Sequence, residues 1–306
     1  MAGVVVAVVG ATATGKSDLA VALAQRIGGE VLNADSMQLY RGMDVGTAKL
    51  GPRERGGVAH HLLDVWDVRD TANVADYQRL ARAAVADLGA RRRTPLLVGG
   101  SGLYVRAVVD DLVFPGTDAT VRARLEDELA TLGAGVLHQR LATLDPAAAA
   151  AILVTNGRRI VRALEVVELT GRPFAASLPR PAYAMPTVAL GLVLDRAVLD
   201  ARIAARVERM WERGLVDEVR RLERHGLREG RTASRALGYA QVLRHLAGEW
   251  TEGQAKDETV RTTRQFARRQ ESWFRRDPRV VWLDAALDLD VLVETAQSHL
   301  GEPHLS

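Results

Sequence analysis

The sequence predicts an α/β fold: a parallel sheet core flanked by helices and interrupted by an all-helical insertion. Three observations carry this. Across the first hundred residues, short apolar runs at 4–9, 30–34 and 95–98 alternate with segments of helical period, which is the pattern of right-handed strand–helix–strand units. Between residues 116 and 186 the strand pattern gives way to helical spacing. It returns at 187–194.

Taken in order, residues 4–9 form a β-branched run typical of a strand buried on both faces. A glycine loop follows, then apolar residues at helical spacing over 18–27. Residues 30–34 read as a second strand ending at Asp35. A helix is expected over 71–90, with Tyr77, Leu80, Ala84 and Leu88 on one stripe. The third strand, 95–98, closes on Gly99-Gly100-Ser101-Gly102. Helices are then expected at 121–132, 136–144, 146–154 and 158–169. Pro173, Pro179, Pro181 and Pro186 break the chain before the strand at 187–194. Helices near 196–211, 214–225, 235–247 and 252–276 precede a last strand at 280–283. The expected organisation is a core of 1–115 plus 187–306, with 116–186 inserted as a helical domain.

Composition bounds the function. The chain has 306 residues, 47% apolar and 26% charged, so it can bury a substantial core. It has no cysteine, which excludes disulfides, thiol redox chemistry and Cys-ligated zinc. The longest apolar stretches, such as 147–154, are too short to span a bilayer. Residues 1–9 lack a basic leader and read as strand rather than signal peptide, so a cytoplasmic protein with no membrane partner is expected. Net charge is +3, and the pI is near 9.5. The cations are nearly all arginine; the lysines are Lys16, Lys49 and Lys256. A GC-rich coding bias gives such an excess, and so does a phosphate-rich partner, whose oxygens match the guanidinium fork. Residues 261–279 hold seven arginines around Trp273 and Phe274, which suits either nucleic acid or a solvated helix face.

The strongest motif is Gly10-Ala11-Thr12-Ala13-Thr14-Gly15-Lys16-Ser17, a G-x-x-x-x-G-K-[ST] phosphate loop between strand and helix. Its glycines let backbone N–H groups close around phosphate oxygens at a helix N-terminus. Lys16 supplies a point charge, and Ser17 can ligate Mg²⁺. The third strand ends in glycines rather than the acid of a Walker B strand, and no N-K-x-D motif is present. The acid lies earlier, at Asp35. The carboxyl ends of parallel strands form the ligand crevice, so Asp35 and Ser101 are both expected to face the loop. His60 and His61 show no metal-ligand spacing.

Several segments in order resemble the tRNA dimethylallyltransferase family: residues 10–17, 35–40, Gly42-Met43-Asp44-Val45-Gly46-Thr47-Ala48-Lys49, His60-His61-Leu62-Leu63-Asp64, 99–104, 158–166 and Ser234-Arg235-Ala236-Leu237-Gly238-Tyr239. The resemblance implies a P-loop NTPase-like core that binds dimethylallyl diphosphate, with Mg²⁺ as cofactor. It implies transfer of the dimethylallyl group to the exocyclic amine of the adenine just 3′ of a tRNA anticodon. Asp35 matches the family's base. Ser101 stands where the family usually has Thr, keeping the hydroxyl, and Arg235 matches a diphosphate-binding arginine. Asp35, Ser36, Met37 and Gln38 would meet the flipped adenine. Arg158, Arg159 and Arg162, with Arg122 and Ser101, would contact the anticodon stem-loop. Ala11 and Ala240 depart from the family's common Pro and basic residue. The competing readings are a small-molecule or nucleoside kinase, because a phosphate loop near a strand-end Asp also suits phosphoryl transfer, and a non-catalytic RNA-binding protein. With no heptad seam visible, a monomer is expected.

Overall fold

The computed structural model describes residues 3–174 and 180–301. Pro179 of the expected chain break, and the first two residues, lie outside that range. The chain divides into two units, one running to Asp111 and resuming at Tyr183, the other spanning Leu112–Ala182.

In chain order the first unit begins with β1 (Val5–Gly10), α1 (Lys16–Ile27), β2 (Gly29–Asn33), β3 (His60–His61), α2 (Val74–Ala90), β4 (Thr94–Gly99) and α3 (Gly102–Val109). The second unit holds α4 (Ala119–Leu144), α5 (Pro146–Ala151) and α6 (Gly157–Thr170). The first unit resumes with β5 (Thr187–Val193), α7 (Arg196–Glu212), α8 (Leu215–Glu223), α9 (Tyr239–Leu246), α10 (Glu252–Phe274), β6 (Val280–Asp284) and α11 (Leu289–Ser298). Its strands form one sheet of order β3-β2-β4-β1-β5-β6, with every pairing parallel.

The apolar run of β1 is continuous because both its faces are covered. Val6 and Val8 pack with Leu19 and Leu23 of α1 and Ile203 of α7. Val5, Ala7 and Val9 pack on the opposite face with Tyr77 and Leu88 of α2 and Val108 of α3. The period of two along the strand thus sorts one sequence run into two cores. Two short elements, β3 and α3, were too brief for periodicity to reveal, and α11 was also unforeseen. The helix expected from residue 235 begins instead at Tyr239, because Gly238 sits at φ +86°, a conformation only glycine adopts cheaply. Ahead of it, Ala233–Arg235 forms a single 3₁₀ turn.

The helical unit has its own core of Leu125, Leu137, Leu141, Ile152, Ile160 and Leu164. Asp118 caps α4 by accepting the N–H groups of Thr120 and Val121. The helix bends at Gly133, where φ is +81°, so the two segments expected there meet at a kink.

The block from Gly42 to Lys49 is an irregular loop, and buried ionic groups hold it. Glu218 of α8 is 1% exposed. Its carboxylate accepts the backbone N–H groups of Asp44 (3.2 Å), Val45 (2.8 Å) and Gly46 (3.2 Å), and the Tyr239 hydroxyl (2.6 Å). Lys49 donates to the carboxylates of Asp44 and Asp64, both at 2.6 Å, and to the Tyr40 carbonyl at 3.0 Å. Replacing Glu218 by Ala strips the acceptor from several buried donors at once. Denaturant titration of Glu218→Ala should show a stability loss of about 3–5 kcal/mol; a loss below about 1 kcal/mol would show that the loop holds without it.

Candidate functional site

The carboxyl ends of β1, β2 and β4 open onto a cleft of about 140 Å³. Thr12, Lys16, Asp35, Gln38, Arg206 and Gln270 are among the residues lining it. The phosphate loop bends sharply between β1 and α1, with Ala13 at φ +66° and Gly15 at φ +91°. Such successive turns point backbone N–H groups toward one concavity, and the start of α1 adds its dipole. Inside the loop, the Thr14 hydroxyl donates to the Ala11 carbonyl at 2.9 Å, and Lys16 Nζ donates to the same oxygen at 2.6 Å.

Gln270 of α10 closes the loop from outside. Its Oε1 accepts the Thr12 N–H at 2.9 Å, and its Nε2 donates to the Gly100 carbonyl at 3.0 Å. A Cβ at Gly100 would lie 2.1 Å from that Nε2, so any side chain there pushes the Gln270 amide out of this position. Arg206 of α7 donates from Nη1 to the Thr12 hydroxyl at 3.2 Å.

Asp35 lies just past β2, where Asn33 shapes its turn. Asn33, 4% exposed, accepts the Asp35 N–H at 2.9 Å and donates to the carbonyls of Asp35 and Leu62, each at 3.0 Å. Asp35 Oδ1 accepts the Met37 N–H at 2.8 Å. Its second oxygen has no hydrogen-bond partner among the described residues. The Ser101 hydroxyl accepts the Ser36 N–H at 3.3 Å and lies 3.4 Å from the Ser36 hydroxyl, so the β4 loop and the Asp35 turn touch directly. Gln38 donates from Nε2 to the Thr47 carbonyl at 3.1 Å. Met37 packs against the core that contains Tyr40 and Tyr239.

The electrostatics are cationic and partly dry. Burial is the main cause that lowers Lys16 from 10.5 to about 7; Arg206 lowers it further, and Asp35 opposes. Burial also pushes Arg206 below its ordinary value, with repulsion from Arg209 adding to it. Two cations near one loop fit an anion that carries several charges. His60 lines the cleft. Burial lowers its pKa, and its Nδ1 lies 2.9 Å from the Val58 carbonyl. His61 bonds Glu30 at 2.7 Å. Neither belongs to a group of three or more metal-type side chains among the described residues.

Of the two arginines, the cleft holds the one that the sequence did not single out. Arg235 is exposed on its 3₁₀ turn and is not among the residues that line the cleft; Arg206 lines it. The sequence did hold a signal for it. Arg206 follows Ile203 by three positions, next to the buried stripe Leu199, Ile203 and Val207, where a solvated arginine would not sit. Gln270 likewise falls between Ala267 and Phe274 on the buried face of α10. The arginine-rich stretch reads differently too. Phe274 turns into the core at 4% exposure, while Arg261 pairs with Glu258 and Arg275 with Glu271.

In the helical unit, Glu165 is fully buried. Arg122 pairs with it, and Arg162 does so at 2.5 Å. Burial of Glu165 acts against ionisation, but these two guanidinium groups hold its carboxyl below the usual range. Arg162 also donates to the carbonyls of Pro115 (2.7 Å) and Gly116 (3.1 Å). Arg158 and Arg159 are exposed.

Comparison with known proteins adds the following. The profile of the IPP transferase family matches residues 38–277. A tRNA dimethylallyltransferase of Streptomyces avermitilis is 68% identical over 300 residues, 98% of this chain and 96% of that protein. One from Thermobifida fusca is 69% identical over 91% of this chain and 89% of its own length. The crystal structure of the tRNA isopentenylpyrophosphate transferase of Bacillus halodurans is similar with a TM-score of 0.72 and 41% identity, covering 98% of this chain and 96% of that one. A eukaryotic dimethylallyltransferase acting on tRNA is similar with a TM-score of 0.80 and 25% identity, covering 97% of this chain and 77% of that one.

The depressed Lys16 yields a proton-linked prediction. With a pKa of about 7, Lys16 is mostly neutral at pH 8. An anion that binds the charged form raises that pKa, so binding takes up a proton above pH 7. Calorimetry with inorganic diphosphate at pH 8, in buffers of different ionisation heat, should show wild type taking up nearly one more proton than Lys16→Arg. Equal proton balance in the two proteins would contradict the shift.

Proposed function

The chain belongs to the IPP transferase family, and on that premise we propose that it transfers a dimethylallyl group from dimethylallyl diphosphate to the exocyclic N6 amine of the adenosine 3′-adjacent to a tRNA anticodon, releasing diphosphate. The observation that carries this is one cleft holding both halves of the chemistry. Lys16, Arg206 and the phosphate loop suit a diphosphate, and Asp35 offers a carboxylate oxygen with no hydrogen-bond partner among the described residues. Phosphoryl transfer is the weaker reading, because β4 ends in Gly99 and supplies no acid.

In the reaction the allylic C–O bond breaks and its electron pair leaves with the diphosphate. Loop N–H groups, Lys16 and Arg206 stabilise that developing charge where it forms. The N6 nitrogen bonds the allylic carbon, and its proton becomes acidic as it does so. Asp35 accepts that proton. Ser101 stays within reach of the Asp35–Ser36 turn and holds it against the β4 loop. Ser17 lines the cleft at the start of α1, and its hydroxyl oxygen is a donor that would suit Mg²⁺. When bound there, Mg²⁺ supplies further positive charge to the leaving group.

On the RNA side, the adenine must leave its stack to reach the cleft, at a cost of about a few kcal/mol. The Asp35–Gln38 turn receives it. Gln38 has its amide nitrogen on Thr47, which directs its carbonyl end toward an amine donor. Arg158 and Arg159 of the helical unit meet backbone phosphates. Arg162 and Arg122, already engaged by Glu165, bring only their remaining donors. Among the described residues no helix is long and apolar enough to cross a membrane, and we place the enzyme in the cytoplasm as a monomer.

Incubation with undermodified tRNA and either dimethylallyl diphosphate or ATP, followed by nucleoside mass analysis, tests the reading. Dimethylallyl diphosphate should give N6-dimethylallyl adenosine and one diphosphate per transfer, while ATP alone leaves the tRNA unchanged. Phosphorylated product with ATP would favour the kinase. Asp35→Ala should lower turnover by about 10²–10⁴-fold with little change in donor affinity. Near-normal turnover would remove Asp35 as the base.

A further inference from the structure

The chain leaves the core unit after Asp110-Asp111 and re-enters it at Tyr183. These two crossings lie side by side. Asp110 and Tyr183 form an antiparallel bridge, and the Ala184 N–H donates to the Val109 carbonyl at 2.8 Å. The two crossings thus form one short two-stranded mount within the core unit, its strands far apart in sequence.

One guanidinium holds both strands of that mount. Arg279, beside β6, donates to Asp110 Oδ1 at 2.7 Å and Oδ2 at 3.2 Å. Its Cζ lies 3.8 Å from the centre of the Tyr183 ring. It is in turn fixed by Asp277, through Nε at 2.8 Å and Nη2 at 2.7 Å. Asp110 is only 1% exposed and takes a second cation, Arg106 of α3, at 2.5 Å. Arg82 of α2 pins the first crossing by donating to the Asp110 carbonyl at 2.6 Å. The buried carboxylate of Asp110 and that of Asp277 thus balance two arginines, Arg106 and Arg279. Only an arginine serves at the centre, because it must bridge two acids with a planar fork and stack on a ring at once. The catalytic cleft does not include this cluster, and the chemistry derived above makes no use of it.

We propose that Arg279 is a positioning residue for the tRNA substrate: it clamps together the two crossings between which the helical unit is inserted, and tRNA engagement depends on that clamp. This rests on the reading that the helical unit meets tRNA, and it adds a residue in the core that acts on RNA without touching it. Loss of the clamp frees the mount and leaves the donor site intact. The effect therefore falls on tRNA and spares dimethylallyl diphosphate.

The test compares wild type, Arg279→Ala and Tyr183→Leu, with kcat and KM measured separately for tRNA and for dimethylallyl diphosphate. Arg279→Ala should raise the tRNA KM at least fivefold, with kcat and the donor KM within twofold of wild type. Tyr183→Leu removes only the stacked ring, and should shift the tRNA KM in the same direction by less. It also carries the test if Arg279→Ala does not fold. Hydrogen exchange supplies the independent readout: the Ala184 amide should exchange faster in Arg279→Ala. An unchanged tRNA KM in the folded variants, or kcat and both KM values moving together, overturns the proposal. A wild-type enzyme that does not modify tRNA would overturn the functional reading instead, and the Ala184 exchange rate would still decide the clamp.

Discussion

The side-chain amide of Gln270 is the constraint on which the cleft depends. It bridges the Thr12 N–H and the Gly100 carbonyl and so ties the phosphate loop to the loop after β4. That second loop carries Ser101, which touches Ser36 beside Asp35. Donor loop, hydroxyl and carboxylate are therefore one connected structure rather than three neighbours. The amide is 5% exposed, and a buried amide without partners would be costly. It is affordable only because both its ends are used. α10 holds it in register by burying Ala267 and Phe274 on the same face.

Around that frame the site stores charge it cannot neutralise alone. Lys16 and Arg206 both sit below their ordinary pKa values, burial being the first cause for each. Asp35 opposes this for Lys16, and Asp18 and then Asp35 oppose it for Arg206. A multiply charged anion relieves the repulsion, and it is also what the family's chemistry releases. The same preorganised cations favour the donor and, more strongly, the charge that grows on its leaving group. Two buried acids elsewhere are closed. Glu218 and Glu165 are fully engaged by loop N–H groups and by arginines, so they shape loops and leave the cleft to do chemistry.

Much of this was legible in the sequence, for physical reasons. The phosphate loop needs particular residues at fixed spacing, and strands covered on both faces write themselves as unbroken β-branched runs, as β1 does. Asp35 follows from the rule that ligands gather at strand carboxyl ends. What stayed hidden depended on tertiary contacts. A two-residue strand such as β3 has no period to detect, and it exists because β2 offers it an edge. Arg235 carried the stronger motif, yet Gly238 and the 3₁₀ turn leave it exposed, whereas Arg206 looked like one more arginine on a polar helix. Only its place beside the stripe of Leu199, Ile203 and Val207 set it apart. The basic stretch around the end of α10 was left open between nucleic acid and a solvated helix face; helical geometry turns Phe274 inward and pairs Arg261 and Arg275 with acids three and four residues away.

The central claim is that the cleft between the phosphate loop and α7 is the diphosphate site and that Arg206 is its arginine. Calorimetric titration of wild type, Arg206→Ala and Arg235→Ala with inorganic diphosphate tests it most directly, because no RNA and no turnover intervene. Truncating a charged group that faces a bound anion costs about 1.5–3 kcal/mol, roughly a ten- to hundredfold loss of affinity. Arg206→Ala should show that loss, and Arg235→Ala should stay within twofold of wild type. The reverse ranking would place the anion elsewhere and contradict the account.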